Sequence, residues 1–288
     1  MKSSIIKSAC LAVFLIITSG NSAYSAYDRE TLTHPDFAFP QTVEKDSRAM
    51  LETSLHENRP AATLRAFLNL AVASDLISRE NAFTLLPDID SISNLLSSPY
   101  KAIGLLIEAQ MYQEIYLSNP GVFNSRTVPA VSYTDNPNFW DRNMFASKID
   151  SLSLKAVEEF DCASKVPLKN IESIIESRSS LASYTVGDFI IYKVIDLVQS
   201  VKEQKTIPFF SSPTDDTLNP LTLIDRLLSL HPKISAARCN AILTKAGLLE
   251  PHRNEPSEFL WNEIIASGTH VEVAQLLTYY YQRYVSWQ

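Results

Sequence analysis

Glycine is scarce in this chain, six residues among 288. A phosphate cradle of backbone N–H groups needs glycine where the chain approaches an anion, so such a cradle has little to be built from. The same scarcity argues against a strand-and-turn architecture. Cysteine is rarer still: Cys10, Cys162 and Cys239. None stands in a Cys-x-x-Cys or metal-ligand spacing. Cys162 and Cys239 admit two readings, a pair in an oxidising compartment or two buried free thiols in separate helices. Basic charge is in deficit, with 25 Lys and Arg against 32 Asp and Glu. That balance argues against nucleic acid, whose binding needs a clustered basic face.

Reaction signatures are missing too. No Gly-x-Ser-x-Gly, His-Glu-x-x-His or glycine-rich phosphate loop occurs. The five histidines, His34, His56, His231, His252 and His270, have no histidine partner at i+3 or i+4, so no metal site and no cofactor are expected. Glu158-Glu159 and Asp215-Asp216 are sequence neighbours. On a helix such neighbours diverge by about 100°, which makes solvated faces rather than a catalytic dyad. No catalytic residue is assigned.

What is present begins with a targeting pattern. Lys2 and Lys7 precede the apolar run "SACLAVFLIITSG", Ser8 to Gly20, and then the small residues "NSAYSA". This has the build of a secretory signal peptide over 1–26, cleaved after Ser25 or Ala26. The run falls short of the roughly 20 apolar residues that span a bilayer as a helix. Cys10 lies too early to become a lipidated first residue. A chain exported to the periplasm or cell surface, without membrane insertion after cleavage, is the expectation.

Beyond the leader, apolar residues recur at helical spacing. A polar helix is expected from Gln41 to Glu57, with Val43, Met50, Leu51 and Leu55 on its apolar side. Pro60 stands where a first helical residue is best placed, and Leu64, Phe67, Leu68 and Ala71 share one face behind it. Ser78 offers a cap to a helix carrying Ala82, Leu85, Leu86, Ile89, Ile92 and Leu96, which Pro87 should kink or break in two. Ser98-Pro99 reads as a second cap-plus-proline start. Pro60 and Pro99 open the second helix of successive pairs, the pattern of a helical-hairpin array. Later helices are expected through Phe145, Ile149, Leu152, Ala156 and Phe160, over Leu168–Glu176, and through Phe189, Tyr192, Ile195, Val198 and Val201. Four more are expected at Leu221–Leu230, Ser235–Leu249, Glu258–Ser267 and Val271–Tyr284. No period-two alternation is sustained anywhere. The predicted fold class is all-α: stacked antiparallel helix pairs, TPR-like, over 27–205, with a C-terminal helical part, 218–288, packed on the first as one continuous unit.

One stretch breaks the rhythm. Residues 119–136 show no helical periodicity, and they lead into Trp140-Asp141. Helical bundles usually join neighbours with about two to eight residues, so a longer crossing needs something to hold it. The structural reading is a brace, with Trp140 as a buried anchor and Arg126 paired to Asp141 or to a helix C-terminus; the functional one is a partner-binding loop. At the other end, "LLTYYYQRYVSWQ" gathers Tyr279, Tyr280, Tyr281, Tyr284 and Trp287. Three consecutive tyrosines cover all sides of a helix. Either Tyr280 and Tyr284 pack inward while the rest skim the surface, or further polypeptide covers this candidate interaction surface.

At the crossing the sequence resembles a known family. Asn124, Arg126 and Thr127 form an Asn-x-Arg-Thr element, and Trp140-Asp141 opens the next helix. With "KAIGLLIEAQMYQEIYLSN" before, and "PLKNIESII", "YTVGDFIIYKVIDLV" and "LIDRLLSLHPK" after, the order is similar to the N-terminal helical region of the large alpha-2-macroglobulin-like proteins of Bacteroidetes. The matches are short and span about Tyr100 to Lys233; their collinearity carries the resemblance. In that family the helical region precedes macroglobulin β-sandwich domains, and the implied role is trapping or inhibiting proteases at the cell envelope. This chain departs from it. It has no β-sandwich, and neither Cys162 nor Cys239 begins a Cys-x-Glu-Gln thioester, so no inhibitory residue carries over. The resemblance implies a non-enzymatic helical scaffold or docking domain, a truncated member or the helical part encoded alone. Its polypeptide partner would then be the β-sandwich domains of a continuing or neighbouring chain. The alternatives are a stand-alone helical-repeat component of an envelope complex and an unrecognised hydrolase.

Overall fold

The computed structural model describes residues 36–78, 83–126, 136–174, 184–202, 216–233 and 235–249, and the single positions 262, 266, 274 and 278. The signal-like leader, Thr127, the tyrosine-rich end (Tyr279, Tyr280, Tyr281, Tyr284 and Trp287), and His34, His252 and His270 lie outside them. Among the described residues the protein is all-α, and an isolated bridge between Pro167 and Thr185 is the sole β pairing. Two compact units divide between Gln204 and Lys205. No described helix is long and apolar enough to cross a membrane.

In the first unit, α1 (Pro40–His56) and α2 (Pro60–Ile77) form a hairpin. Pro60 is the first residue of α2, where its absent N–H leaves nothing unsatisfied. Asn58 makes the turn with φ 52°, in the left-handed region that asparagine tolerates better than most residues. Across the joint, the Thr63 hydroxyl donates to Ser54 Oγ at 3.1 Å. Val43 is buried on α1, while Met50, Leu51 and Leu55 are only partly covered. Leu64, Phe67, Leu68 and Ala71 are all buried on α2.

The second hairpin is α3 (Leu86–Leu95) and α4 (Tyr100–Ser118). Pro87 does break the expected helix, sitting in the first turn of α3, where its lack of an N–H is harmless. Ser98 does not cap as expected, since Pro99 itself occupies the N-cap of α4 without a side-chain cap. Ser78 ends α2, and its expected cap on the following residues, 79–82, lies outside the described residues. Gly104 sets the closeness of this pair: a Cβ there would lie 2.5 Å from Ser93 Oγ and 3.4 Å from Ser93 Cα.

Helix α4 is the hub. It packs on α3, on α6 (Arg142–Glu158) and on α8 (Val186–Lys202), and it is buried almost all round. Lys101 near its start pairs with Glu159 just past the end of α6 at 2.9 Å, so the two helices run antiparallel. Glu159 is thus tied to a neighbouring helix rather than merely solvated. Phe145, Ile149, Leu152, Ala156 and Phe160 are buried along this seam. Short α7 (Phe160–Ala163) and a 3-10 turn (Leu168–Ile171) lead towards α8; within the expected Leu168–Glu176 helix, only that turn is regular among the described residues. Thr185 and Asp188 open α8 with reciprocal bonds: Thr185 N–H donates to Asp188 Oδ2 at 2.8 Å and Asp188 N–H to Thr185 Oγ1 at 3.2 Å. Phe189, Ile195 and Val198 are buried on it.

The crossing segment is not wholly irregular. Pro120–Ser125 forms a one-and-a-half-turn helix, α5, and Pro137–Phe139 a 3-10 turn. Six residues are too few for periodicity to register, but Pro120 at the helix start carries the same signal as Pro60.

The second unit contains α9 (Pro220–Leu230) and α10 (Ala236–Leu249), packed together. Asn219 caps α9 by accepting from Leu221 N–H at 3.0 Å. Arg238 reaches back from α10 to the carbonyls of Leu228 and His231 at the other end of α9. Cys239 is buried, whereas Cys162 in the first unit is exposed, against the reading of two buried thiols; both are free. Positions 262, 266, 274 and 278 are helical, and the rest of the two last expected helices lies outside the described residues.

Candidate functional site: the crossing segment and the cleft beneath it

Five aromatic rings hold the crossing down. Tyr112 and Tyr116 stand one turn apart on α4, Phe123 comes from α5, Trp140 from the end of the crossing and Phe145 from the first turn of α6. Trp140 stacks on Tyr112 with centroids 5.2 Å apart and planes 10° from parallel. It also meets Phe145, edge-on at 5.3 Å. Phe145 also meets Phe123 at 4.8 Å and Tyr116 at 5.9 Å. These are the offset and edge-to-face arrangements that the ring quadrupole favours. Trp140 retains only 8% of its exposure.

The polar residues complete the attachment. Asn124 accepts a hydrogen bond from the Tyr116 hydroxyl at 2.9 Å. Arg126 donates to the carbonyl of Trp140 at 3.1 Å and to that of Asn138, and its guanidinium lies 5.0 Å from the Phe123 centroid. Of the two partners weighed for Arg126, it thus meets the C-terminal carbonyls of a turn, that of Pro137–Phe139, and not Asp141. Asp141 is the buried N-cap of α6 and accepts from Met144 N–H at 2.8 Å. So Asn124, Arg126, Trp140 and Asp141 come together around one aromatic cluster. Tyr112, Tyr116 and Phe123 belong to it as well and were missed, although Tyr112 and Tyr116 advertise themselves by i, i+4 spacing immediately before the crossing.

Below the 3-10 turn lies a cleft of about 890 Å³ between α3, α4 and α6, lined by Phe83, Asp90, Glu108, Tyr112, Trp140 and Lys148 among others. Glu108, in the middle of apolar α4, is 1% exposed. Its Oε1 lies 3.0 Å from Lys148 Nζ in an ion pair, and neither carboxylate oxygen has a well-formed hydrogen bond among the described residues. Burial raises the Glu108 carboxyl above its usual range; Lys148 opposes that rise, Asp90 adds to it, and Lys155 opposes it more weakly. Lys148 is a third exposed and also lies 5.4 Å from the Tyr112 ring centroid. Nothing in the expected site set pointed to Glu108, yet a lone acid inside "AIGLLIEAQMY" is the kind of residue that burial makes costly unless it has a task.

Of the described histidines, His56 ends α1 and His231 is the C-cap of α9, and neither lines this cleft. Among the described residues no three His, Cys, Asp or Glu side chains gather where they could hold a metal ion. Comparison with known families, with curated proteins and with solved structures finds no match.

Proposed function

We propose that the chain is an exported, non-enzymatic helical docking domain, kin to the N-terminal helical region of alpha-2-macroglobulin-like proteins, which holds polypeptide and turns over no substrate. The observation that carries this reading is the cleft under the crossing segment. It is large enough for side chains of a partner, it presents both signs of charge, and its roof is fixed by stacked rings. A rigid, partly apolar concavity with a few placed polar groups is what recognition needs. Export draws support from the basic-then-apolar start, Lys2 to Gly20, and kinship from the collinear elements between Tyr100 and Lys233. The net charge of −7 favours polypeptide over nucleic acid. The partner expected on this reading carries macroglobulin β-sandwich domains, on a continuing or neighbouring chain.

Affinity purification of the tagged chain from the envelope fraction tests it. Co-purification of a protein with β-sandwich domains is the expected result. A specific partner of another architecture would leave docking standing and make the chain a stand-alone component of a different complex. Recovery of no polypeptide above the untagged control would overturn the docking role.

A further inference from the structure

The most deeply buried polar group lining the cleft is a carboxylate whose one charged contact leaves its hydrogen-bonding capacity unmet. Glu108 is almost fully buried, its Oε1 faces Lys148 in an ion pair, its Oε2 has no such partner, and neither oxygen is hydrogen-bonded among the described residues. A desolvated carboxylate oxygen left unmatched is costly, and a donor that reaches it recovers that cost. Asp90, exposed on α3, lines the same cleft and brings a second negative charge. Against these two carboxylates stands Lys148, the one cation of the cleft lining among the described residues, so the described lining carries a net negative charge. An anionic ligand would meet repulsion at both carboxylates. A sugar would want an open ring face, and here Trp140 is covered by Tyr112 and Phe145.

We propose that this cleft takes the guanidinium or ammonium of a basic side chain presented by the docking polypeptide, with Glu108 Oε2 as the deep acceptor and Asp90 as the rim charge. The inference rests on the docking reading and names the chemistry of its occupant. A planar guanidinium donates along several directions at once and is weakly hydrated, so it suits a half-satisfied buried carboxylate better than an ammonium does. The acidic chain as a whole attracts such a cation at long range.

The test is a calorimetric titration of the full chain with N-acetyl-argininamide and with its neutral citrulline counterpart, repeated on Glu108→Gln and Asp90→Asn. The arginine compound is expected to bind, and the citrulline compound to bind at least tenfold more weakly. Glu108→Gln should weaken arginine binding at least tenfold; Asp90→Asn should weaken it severalfold and flatten its dependence on salt. Should Glu108→Gln fail to fold by circular dichroism, the exposed Asp90→Asn carries the test alone. Equal binding of the two compounds, binding untouched by the folded variants, no binding of the arginine compound, or preference for a neutral disaccharide would each overturn the proposal. A peptide array separates this outcome from the docking role. Peptides held regardless of Lys or Arg content leave docking intact and remove the basic-side-chain site. Arginine-compound binding with no peptide held does the reverse.

Discussion

Trp140 is fixed by a stacked ring on one side, an edge-on ring on another and an arginine holding its carbonyl. Replacing it by alanine removes a buried indole and leaves a cavity that the neighbouring rings cannot all fill. Trp140→Ala should destabilise the fold by about 3–5 kcal/mol, read by denaturant unfolding; unfolding at the wild-type midpoint would refute the brace. Arg126 contributes less because it is partly solvated. Arg126→Ala should cost about 1 kcal/mol through two lost bonds to carbonyls, with the Tyr112–Trp140 stacking left in place. Glu108 gives a pH test. Its carboxyl titrates above 4.5 in the folded chain. Folding therefore favours the protonated form, and the stability this confers is present below about 4.5 and lost as pH rises through the folded value. The stability of wild type relative to Glu108→Gln should accordingly fall as pH rises above 4.5 towards neutrality. A relative stability that rises with pH across that window would contradict the burial argument.

At the scale of elements, the antiparallel seam between α4 and α6 and the close pair of α3 and α4 decide where the cleft lies. Gly104→Ala would place a methyl against Ser93, whose backbone is only 3.4 Å away. It should destabilise by about 1–3 kcal/mol by wedging α3 from α4; a gain in melting temperature would show that the pair is looser than described. This scale also shows what the sequence discloses and what it hides. Pro60, Pro87 and the stripe from Phe145 to Phe160 announce their helices because each imposes a steric or solvation constraint locally. Helix α4 does not reveal which neighbour covers which face, since a hub buried on all sides has no polar stripe to break the symmetry. For the same reason its Glu108 and ring pair, Tyr112 and Tyr116, became readable as a site only once α6 was in place. Of the crossing, Trp140 and Asp141 were legible through their residue types, whereas α5 was too short to be periodic.

In the first unit, both described ends of the crossing are anchored on a hub helix beside a cleft, which we propose receives a polypeptide. Two compact units meet in sequence at Gln204 and Lys205, and the cleft belongs to the first. The most direct measurement is photocrosslinking in the native envelope from an unnatural residue at Asn138, on the cleft roof, against a control at exposed Glu52 on α1. The account predicts a discrete polypeptide adduct from position 138 that is absent from position 52 and is competed by an arginine-containing peptide. Equal labelling from both positions, or none from position 138, would contradict it.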